Sequence, residues 1–426
     1  MDRRTFLAGA TGMAAVLGVD WRARLEAAAQ ASAGRTPDEL ARDEDFWLQV
    51  RHAFTIDRNH VNFNSGSVSP APRSVQQAVT DYWTVMNMSP SLYVDEQLLP
   101  RLEVPRRHLA QMFGCDPEEI ALTRNTSEAM QILQFGLPLR AGDEVLTTTQ
   151  DYPRMLTTWH QRAARDGIVL KTVAFPVPPP SHDDLVERLE QAITPKTKVI
   201  LICHVTYTTG QIFPVRRICQ MARSRGIETI VDGAHGFAQF PFTRDELDCD
   251  YYATSLHKWL TAPIGTGFLY VRRSKIGQVW PLMAAPLSMR DDIRKFEQIG
   301  TFPVAIPGGI TEAATFHQSI GGARKAARLR YLRRRWVARV KDLPKVRVLN
   351  RDEPEHTCGL GAMAIDGIGA AALTEFLERA YRIHVRPRVV DGEFSCVRIA
   401  PNVFTTLEEV DLLATALERA ATRGIA

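Results

Sequence analysis

The 426-residue sequence has few cysteines, and none of them is arranged to build a site. The six cysteines stand far apart, with no CxxC spacing, at positions 115, 203, 219, 249, 358 and 396. Disulfide-rich modules need dense cysteine pairs, and structural zinc sites need closely spaced ligands. The sequence therefore indicates neither a disulfide framework nor a zinc site.

An excess of charge of one sign is also lacking. The net charge of +4 is too small to indicate nucleic acid or an acidic membrane surface as a partner. One arginine-dense segment, "ARKAARLRYLRRRWVARVKD", is the local exception. Its apolar residues recur at helical spacing, at Leu329, Leu332, Trp336 and Val340. We interpret it as a helix with one apolar stripe and a basic face in solvent.

The N-terminal apolar run is too short to span a bilayer as a mature helix. In "MDRRTFLAGATGMAAVLGV", Arg3 and Arg4 precede Phe-Leu and this run, which resembles a twin-arginine export signal for proteins that fold before crossing the membrane. The stretch "AAAQASAG" offers a cleavage site near Ala31 or Ala33. We predict a signal segment at 1–33 and a periplasmic or secreted protein without a stable membrane span. An uncleaved amphipathic helix on a cytoplasmic protein is the alternative.

What the sequence does contain is an alternation of strand and helix patterns between about residues 120 and 275. Runs such as "KVILICHVTY", "ETIVDGAH" and "GTGFLYVRR" read as strands, separated by amphipathic segments. This order predicts an α/β fold with a mostly parallel sheet and helices on both faces. After residue 320 a long helix, short strands and a terminal helix predict a smaller α/β domain. We expect an N-terminal arm at 34–60, a large domain at 61–318 and a small C-terminal domain at 319–426.

Lys258 stands in the unusual stretch "YATSLHKWL", after a strand-like run and before a Gly/Pro loop. A lysine on the protein surface needs neither a preceding strand nor a following Gly/Pro loop. A lysine that forms a Schiff base with an aldehyde cofactor must be partly desolvated, so that its amine is available. The setting therefore predicts pyridoxal phosphate as the cofactor.

Two further blocks meet the demands of that cofactor. Asp232, at the end of the strand-like run "ETIVD", offers a carboxylate to the pyridinium nitrogen. In "RNTSEAMQIL", Thr126, Ser127 and the first amides of a helix offer donors to the phosphate. Ser255 and His257, beside the lysine, extend this predicted phosphate site.

In this order and on these elements the blocks resemble the class V aminotransferase family of fold-type I pyridoxal-phosphate enzymes, from about residue 62 to 417. The Ser-x-His-Lys block of the family is matched by Ser255, His257 and Lys258. The resemblance implies a large cofactor-binding domain with a mostly parallel sheet flanked by helices, plus a smaller C-terminal α/β domain. Within the class, "NFNSGSVSPAP" and "DGAH" are most similar to isopenicillin N epimerase-type members.

The resemblance also implies roles for residues outside these blocks. His235 would contact the phenolic oxygen of the cofactor, and Tyr152 would stack on its ring. Arg398, in "CVRIAPNVF", would clamp the substrate carboxylate, for which a bidentate guanidinium is suited. Gly300 and Thr301 match a segment that reaches the phosphate of the neighbouring subunit, which implies a homodimer with shared active sites.

Two positions depart from the family pattern. Tyr207, in "HVTYTTG", stands where many members have an asparagine near the cofactor; its phenol can still donate a hydrogen bond to a cofactor oxygen. Cysteine desulfurases carry a nucleophilic cysteine upstream of the arginine block, and the only thiol in that stretch here is Cys396. We interpret Cys396 as a packing residue, which disfavours a desulfurase.

These observations predict an enzyme that removes the α-proton of an amino acid or a small peptide-like amine, with the freed Lys258 as general base. Return of the proton on the opposite face gives epimerisation, for which Tyr152, His235 and Tyr207 are candidate carriers. Return to the cofactor carbon gives transamination, and loss of a β- or γ-substituent gives a C–S lyase or desulfurase. We prefer an isopenicillin N epimerase-like reaction. A secreted protein that binds the cofactor without turnover is the alternative from another class.

Overall fold

The computed structural model describes residue 30 and residues 34–425, so the predicted signal segment lies almost entirely outside the described residues. The helices are α1 (Pro37–Leu40), α2 (Glu44–His52), α3 (Arg73–Met88), α4 (Pro90–Tyr93), α5 (Leu99–Arg101), α6 (Glu103–Phe113), α7 (Thr126–Gly136), α8 (Pro153–Asp166), α9 (His182–Ala192), α10 (Val215–Arg223), α11 (Arg244–Leu247), α12 (Ala305–Gly308), α13 (Ile310–Ile320), α14 (Gly322–Val340), α15 (Ala370–Tyr381) and α16 (Leu407–Arg423). The strands are β1 (Val61–Asn62), β2 (Ile120–Thr123), β3 (Glu144–Thr148), β4 (Val169–Val173), β5 (Thr197–Cys203), β6 (Glu228–Asp232), β7 (Tyr251–Ser255), β8 (Gly267–Val271), β9 (Val346–Val348), β10 (Gly361–Ile365), β11 (Ile383–His384), β12 (Arg386–Val390) and β13 (Phe394–Ile399). Within the described part of the chain, no helix combines the length and apolarity needed to cross a membrane.

A seven-stranded sheet forms the centre of the molecule, in the order β2-β8-β7-β6-β5-β3-β4. The β6–β7, β5–β6, β3–β5 and β3–β4 pairs are parallel, whereas β8 is antiparallel to both of its neighbours. Alternate residues of β5 enter two separate apolar clusters, Ile200 and Ile202 on one side and Val199 and Leu201 on the other. Both faces of the sheet are therefore covered, as in other parallel sheets flanked by helices. The predicted fold class is confirmed.

A second, four-stranded antiparallel sheet, in the order β12-β13-β10-β9, forms the C-terminal part. Its core contains Trp336 from α14, Val397 from β13 and Leu413 from α16. Strand β1 joins this part, because Val61 pairs with Ile383 of β11 and Phe63 is buried in the same core. Residues 61–63, at the start of the predicted large domain, therefore pack with the C-terminal part.

The segment predicted as an N-terminal arm is anchored by aromatic packing. Helix α2 buries Phe46 and Val50, and Phe54 follows it. The Phe54 ring lies 5.5 Å from that of Phe316 and 5.0 Å from that of Phe404, centroid to centroid. The arm therefore packs against helix α13 and the segment that precedes α16.

The arginine-dense helix α14 confirms one expectation and corrects another. All four members of its predicted apolar stripe are buried. Its basic face is not fully solvated, however, because Arg328 and Arg333 are buried as well. Arg328 pairs with Glu44 of α2, and Arg333 Nη1 lies 2.7 Å from an Asp352 oxygen. These two cations hold neighbouring segments in place, which the helical spacing alone did not indicate.

Candidate active site

A cavity of about 540 Å³ lies where the carboxyl ends of β6 and β7 face the small domain. In parallel sheets this edge collects the side chains that follow each strand. Ten of the twelve predicted site residues line the cavity: Thr126, Ser127, Tyr152, Tyr207, Asp232, His235, Ser255, His257, Lys258 and Arg398. Gly300 and Thr301 are exposed and are not among its lining residues, so their role at a neighbouring subunit stays a prediction.

At one end of the cavity a hydroxyl pair meets the start of α7. Ser255 Oγ accepts a hydrogen bond from Thr126 N at 2.9 Å and lies 2.7 Å from Thr126 Oγ1. The helix is capped by Asn125, whose Oδ1 accepts from Glu128 N at 2.9 Å. A Cβ on Gly267 would lie 2.8 Å from Asn125 Cα, so β8 can approach the cap only with a glycine there. A helix start with two hydroxyls fits a phosphate group.

The last residue of β6, Asp232, places a carboxylate in the cavity. Asp232 is buried, and its Oδ1 accepts a hydrogen bond from Ala234 N at 3.0 Å. Burial raises the pKa of Asp232 to about 6, although the Lys258 amine acts in the opposite direction. Gly233 permits the turn, since a Cβ there would lie 1.9 Å from Tyr252 Cζ. A cationic ring nitrogen placed beside this carboxylate would add a second counter-charge to that of Lys258.

The lysine lies between this acid and two neutral imidazoles. Lys258 Nζ is 3.4 Å from His235 Nε2, and burial lowers the pKa of Lys258 to about 8. Burial also lowers the pKa of His235 well below its usual value and that of His257 to about 4. The Nδ1 atoms of both histidines are buried without a hydrogen-bond partner. The amine is thus partly neutral near pH 8, the condition for covalent chemistry with an aldehyde.

Opposite the sheet, Arg398 projects into the cavity from β13. Its Nη2 donates to Asn64 Oδ1 at 2.8 Å and to Ser67 Oγ at 2.7 Å, and its Nη1 donates to Tyr207 O at 3.0 Å. All three partners are neutral, and no carboxylate of the described residues forms an ion pair with this guanidinium. Burial lowers the pKa of Arg398 to about 9, with the Arg388 charge adding to this effect. The guanidinium is therefore fixed in place and still available to a carboxylate.

Two tyrosines complete the cavity wall. The rings of Tyr152 and Tyr207 meet edge to face at 5.3 Å between centroids. Tyr152 precedes helix α8 and is 37% exposed, whereas burial raises the pKa of Tyr207 above its usual value. The Tyr152 ring is thus open to a flat ligand, and the Tyr207 phenol stays protonated.

Sequence reasoning missed several lining residues: Gly66, Ser67, Val68, Asn125, Met155, Cys203, Val205, Ala234, Arg386, Pro387 and Arg388. Ser67 falls in "NFNSGSVSPAP", a segment used for its resemblance alone. Arg386 and Arg388 were missed although they stand two residues apart, and residues two apart on a strand share a face. That spacing in "HVRPR", close before Arg398, was the available signal.

The thiols near the cavity are not activated. Cys396 is buried with Leu349 and Ala362, and burial raises its pKa to about 12. It does not line the cavity, in agreement with its interpretation as a packing residue. Cys203 does line it, but its thiol donates to Asp151 Oδ1 at 3.2 Å, and burial raises its pKa well above the usual value.

The hydroxyls at a helix start, the buried acid, the desolvated lysine and the unpaired imidazole nitrogens fit pyridoxal phosphate. Solved structures support this class. A C-DES mutant with glycine covalently linked to the PLP cofactor superposes with a TM-score of 0.77 at 24% identity, covering 86% of this chain and 98% of that one. The cystine C–S lyase C-DES in complex with its product, cysteine persulfide, gives 0.76 at 25% identity, with 85% and 98% covered. The protein is a fold-type I enzyme that uses pyridoxal 5′-phosphate.

The chain belongs to the aminotransferase class-V family, whose sequence model matches residues 61–413. It is 32% identical over 391 residues to isopenicillin N epimerase of Streptomyces clavuligerus, covering 87% of this chain and 98% of that protein. The enzyme of the same name from Amycolatopsis lactamdurans is also 32% identical, with the same shares covered. A probable cysteine desulfurase of Methanothermobacter thermautotrophicus is 24% identical, with 88% and 98% covered. The predicted family is confirmed, as a relative of both epimerases and desulfurases.

Proposed function

We propose that the protein is an amino-acid epimerase related to isopenicillin N epimerase. One observation carries this proposal. The cavity contains both a group that can carry a proton and a site for a carboxylate, and its described lining includes no activated thiol. Lys258, whose pKa is about 8, shares the cavity with Arg398, while Cys203, the only thiol among its described lining residues, is held protonated. The 32% identity to two epimerases supports the same reaction.

Each residue would hold one part of the cofactor. The expected contacts are Lys258 to the aldehyde carbon, Thr126, Ser127, Ser255 and His257 to the phosphate, Asp232 to the ring nitrogen, His235 to the phenolic oxygen and Tyr152 to the ring face. When bound, pyridoxal phosphate supplies an electron-withdrawing ring that takes up the electrons of the α C–H bond.

The chain's own residues then accept one proton and donate another. Arg398 binds the substrate carboxylate through a charge-assisted pair. The Lys258 amine accepts the α-proton at Nζ, since a pKa near the working pH suits both acceptance and release. We propose that the Tyr207 residue, which lines the same cavity and is kept protonated by burial, donates a proton to the opposite face of the α-carbon. Its phenolate then regains a proton from solvent, and Lys258 Nζ releases the proton that it accepted.

A C–S lyase is the second candidate. The likeness to the cystine C–S lyase C-DES and to a probable cysteine desulfurase favours it. The states of Cys203 and Cys396 count against a desulfurase that acts through its own thiolate, because only a thiolate is nucleophilic. A non-catalytic cofactor carrier is disfavoured, because it would need neither the reactive amine nor the carboxylate-binding arginine.

The test is α-proton exchange of amino acids in D₂O, followed by NMR together with chiral chromatography. We expect exchange accompanied by inversion for at least one amino acid, and exchange without inversion in Tyr207→Phe. Release of sulfide, pyruvate or ammonia without inversion would replace the epimerase by a lyase, and a keto acid would replace it by an aminotransferase. No exchange with any amino acid would contradict the enzyme proposal.

We also propose a homodimer in which Gly300 and Thr301 reach the partner's cavity. Large apolar side chains are exposed at Ile264, Trp280 and Leu287, to 69%, 65% and 82%, as at association surfaces. Mixed dimers of Lys258→Ala and Thr301→Arg subunits, each inactive alone, should regain activity at one of their two sites. A monomer by light scattering, or mixed dimers without activity, would contradict this arrangement.

Finally, we propose export of the folded, cofactor-loaded protein, supported by the Arg3-Arg4 motif in the sequence. Replacement of both arginines by lysine should leave the protein in the cytoplasm on cell fractionation, while the parent is exported. Equal distribution of the two would favour the cytoplasmic alternative.

A further inference from the structure

Three arginines reach the cavity from two neighbouring strands. In the antiparallel pairing of β12 with β13, Arg386 is opposite Arg398 and Arg388 is opposite Cys396. Because residues two apart on a strand share a face, Arg386 and Arg388 project to the same side. All three arginines line the cavity.

This cationic wall has no acid of its own. None of the three arginines forms an ion pair with a carboxylate of the described residues, and Asp232 is the only acid among the described lining residues. Arg388 is half-buried, and its Nε is buried without a hydrogen-bond partner. Its Nη1 reaches only the Pro387 carbonyl, at 3.5 Å. A desolvated cation without a partner is unfavourable unless a ligand supplies the anion.

Tyr207 joins the two deeper arginines. Its backbone oxygen accepts a hydrogen bond from Arg398, and its ring lies under the Arg388 guanidinium at 5.4 Å from the centroid. A cation held on an aromatic face keeps its N–H edge free for another partner. Arg388 is thus held in a fixed direction beside the carboxylate site, and the residue that holds it is one at which this sequence departs from its family.

The anionic groups of the cofactor and the substrate can be assigned to different residues of the cavity. The phosphate of the cofactor is met by the start of α7, far along the chain from β12, and the substrate α-carboxylate by Arg398. We propose that Arg388, supported by Arg386, binds a second carboxylate of the substrate. The substrate class is then an α-amino acid, or a small peptide-like amine, whose side chain ends in a carboxylate. This inference rests on the proposed function, because it requires the α-carboxylate to occupy Arg398.

The experiment compares acids with their matched amides on the full-length holoenzyme. L-glutamate is paired with L-glutamine, and L-2-aminoadipate with its ω-amide, so that size is kept and charge is removed. The dissociation constants are taken from the change in the visible absorption of the cofactor, and α-proton exchange is measured in parallel. We expect at least one acid to bind about 10- to 100-fold more tightly than its amide, in the range of a charge-assisted pair.

Variants of the arginines then show which residue causes the preference for acids over amides. In Arg388→Gln the acid-to-amide ratio should approach one, whereas Arg388→Lys, which keeps the charge without the planar fork, should retain part of it. Arg386→Gln should reduce the ratio less. Arg379→Gln, an exposed arginine on α15, is the control and should leave it unchanged. The cofactor absorption and the melting temperature of each variant confirm that it is folded.

The outcomes separate this inference from the proposed function. Equal binding of acids and amides by the parent enzyme, with exchange present, would overturn the inference and leave the epimerase standing. A preference that survives in the Arg386→Gln, Arg388→Gln double variant would overturn its assignment to these residues. A clear acid preference without any exchange would support the second carboxylate site while the epimerase proposal fails.

Discussion

The two walls of the cavity are built in different ways. The cofactor wall, formed by Thr126, Asp232 and Lys258, stands on short turns around neighbouring strands of one sheet. The arginine wall, formed by Arg386, Arg388 and Arg398, stands on two antiparallel strands of the small domain. The first contains an acid and an amine that lower each other's cost of burial, whereas the second contains cations alone. The cofactor wall is thus local to one sheet, whereas the arginine wall depends on how the C-terminal part packs on that sheet.

The strongest test of the cofactor wall is Lys258→Ala. We expect α-proton exchange to fall by at least about 10³-fold, because general base catalysis and the covalent link to the cofactor are lost together. The exchange assay measures the loss, with the exposed Lys341→Ala as control. A variant that keeps a tenth of the activity would move the base to another residue.

On the arginine wall, Arg398→Gln should lower kcat/KM by about 10²-fold, the cost of losing a desolvated charge-assisted pair. The variant should keep its bound cofactor, detected by visible absorption, since the guanidinium donates no hydrogen bond to the cofactor-wall residues. Loss of cofactor from this variant would show that the two walls are not separable.

The buried acid predicts a pH effect on the stability of the cofactor-free protein. The pKa of Asp232 is about 6 in the fold against a usual 3.8, so the folded state binds more protons between these values. Stability should therefore fall as pH rises from about 4 to 6, by on the order of 1–3 kcal/mol. Urea unfolding at pH 4.5 and 6.5 should show this decrease in the parent and a smaller one in Asp232→Asn. Identical decreases in both proteins would assign the effect to other groups.

The smallest effect is expected for Cys396→Ala. The loss of a buried sulfur costs packing energy, about 1 kcal/mol, but should change kcat less than about twofold. Chemical denaturation and the exchange assay measure the two quantities. A large loss of activity with unchanged stability would restore a chemical role for this thiol.

The two walls also differ in how far the sequence could predict them. Thr126, Asp232 and Lys258 each stand beside a strand or helix end that local patterns reveal, and all three line the cavity. The pairing of Arg386 with Arg398 depends on a strand register that the spacing alone did not define.

The arginine-dense helix α14 also shows that local sequence patterns do not predict long-range contacts. Its apolar stripe followed from helical spacing, but burial of Arg328 depends on Glu44, which the chain brings in from nearly 300 residues away. Long-range pairs of this kind decide whether a charged side chain lies in solvent or in the interior, and no local window contains them.

The pairing of β1 with β11 has a consequence for synthesis. Asn62 pairs with His384, and Asn64 contacts the same residue, which is made 320 residues after Asn64. At about 5–20 residues per second, a ribosome needs on the order of half a minute to supply that partner. During this interval Phe63 and the apolar face of α2 are in the nascent chain without the surfaces that later bury them. Residues 44–63 are therefore the segment where a chaperone should bind the growing polypeptide and be released when the last strands emerge.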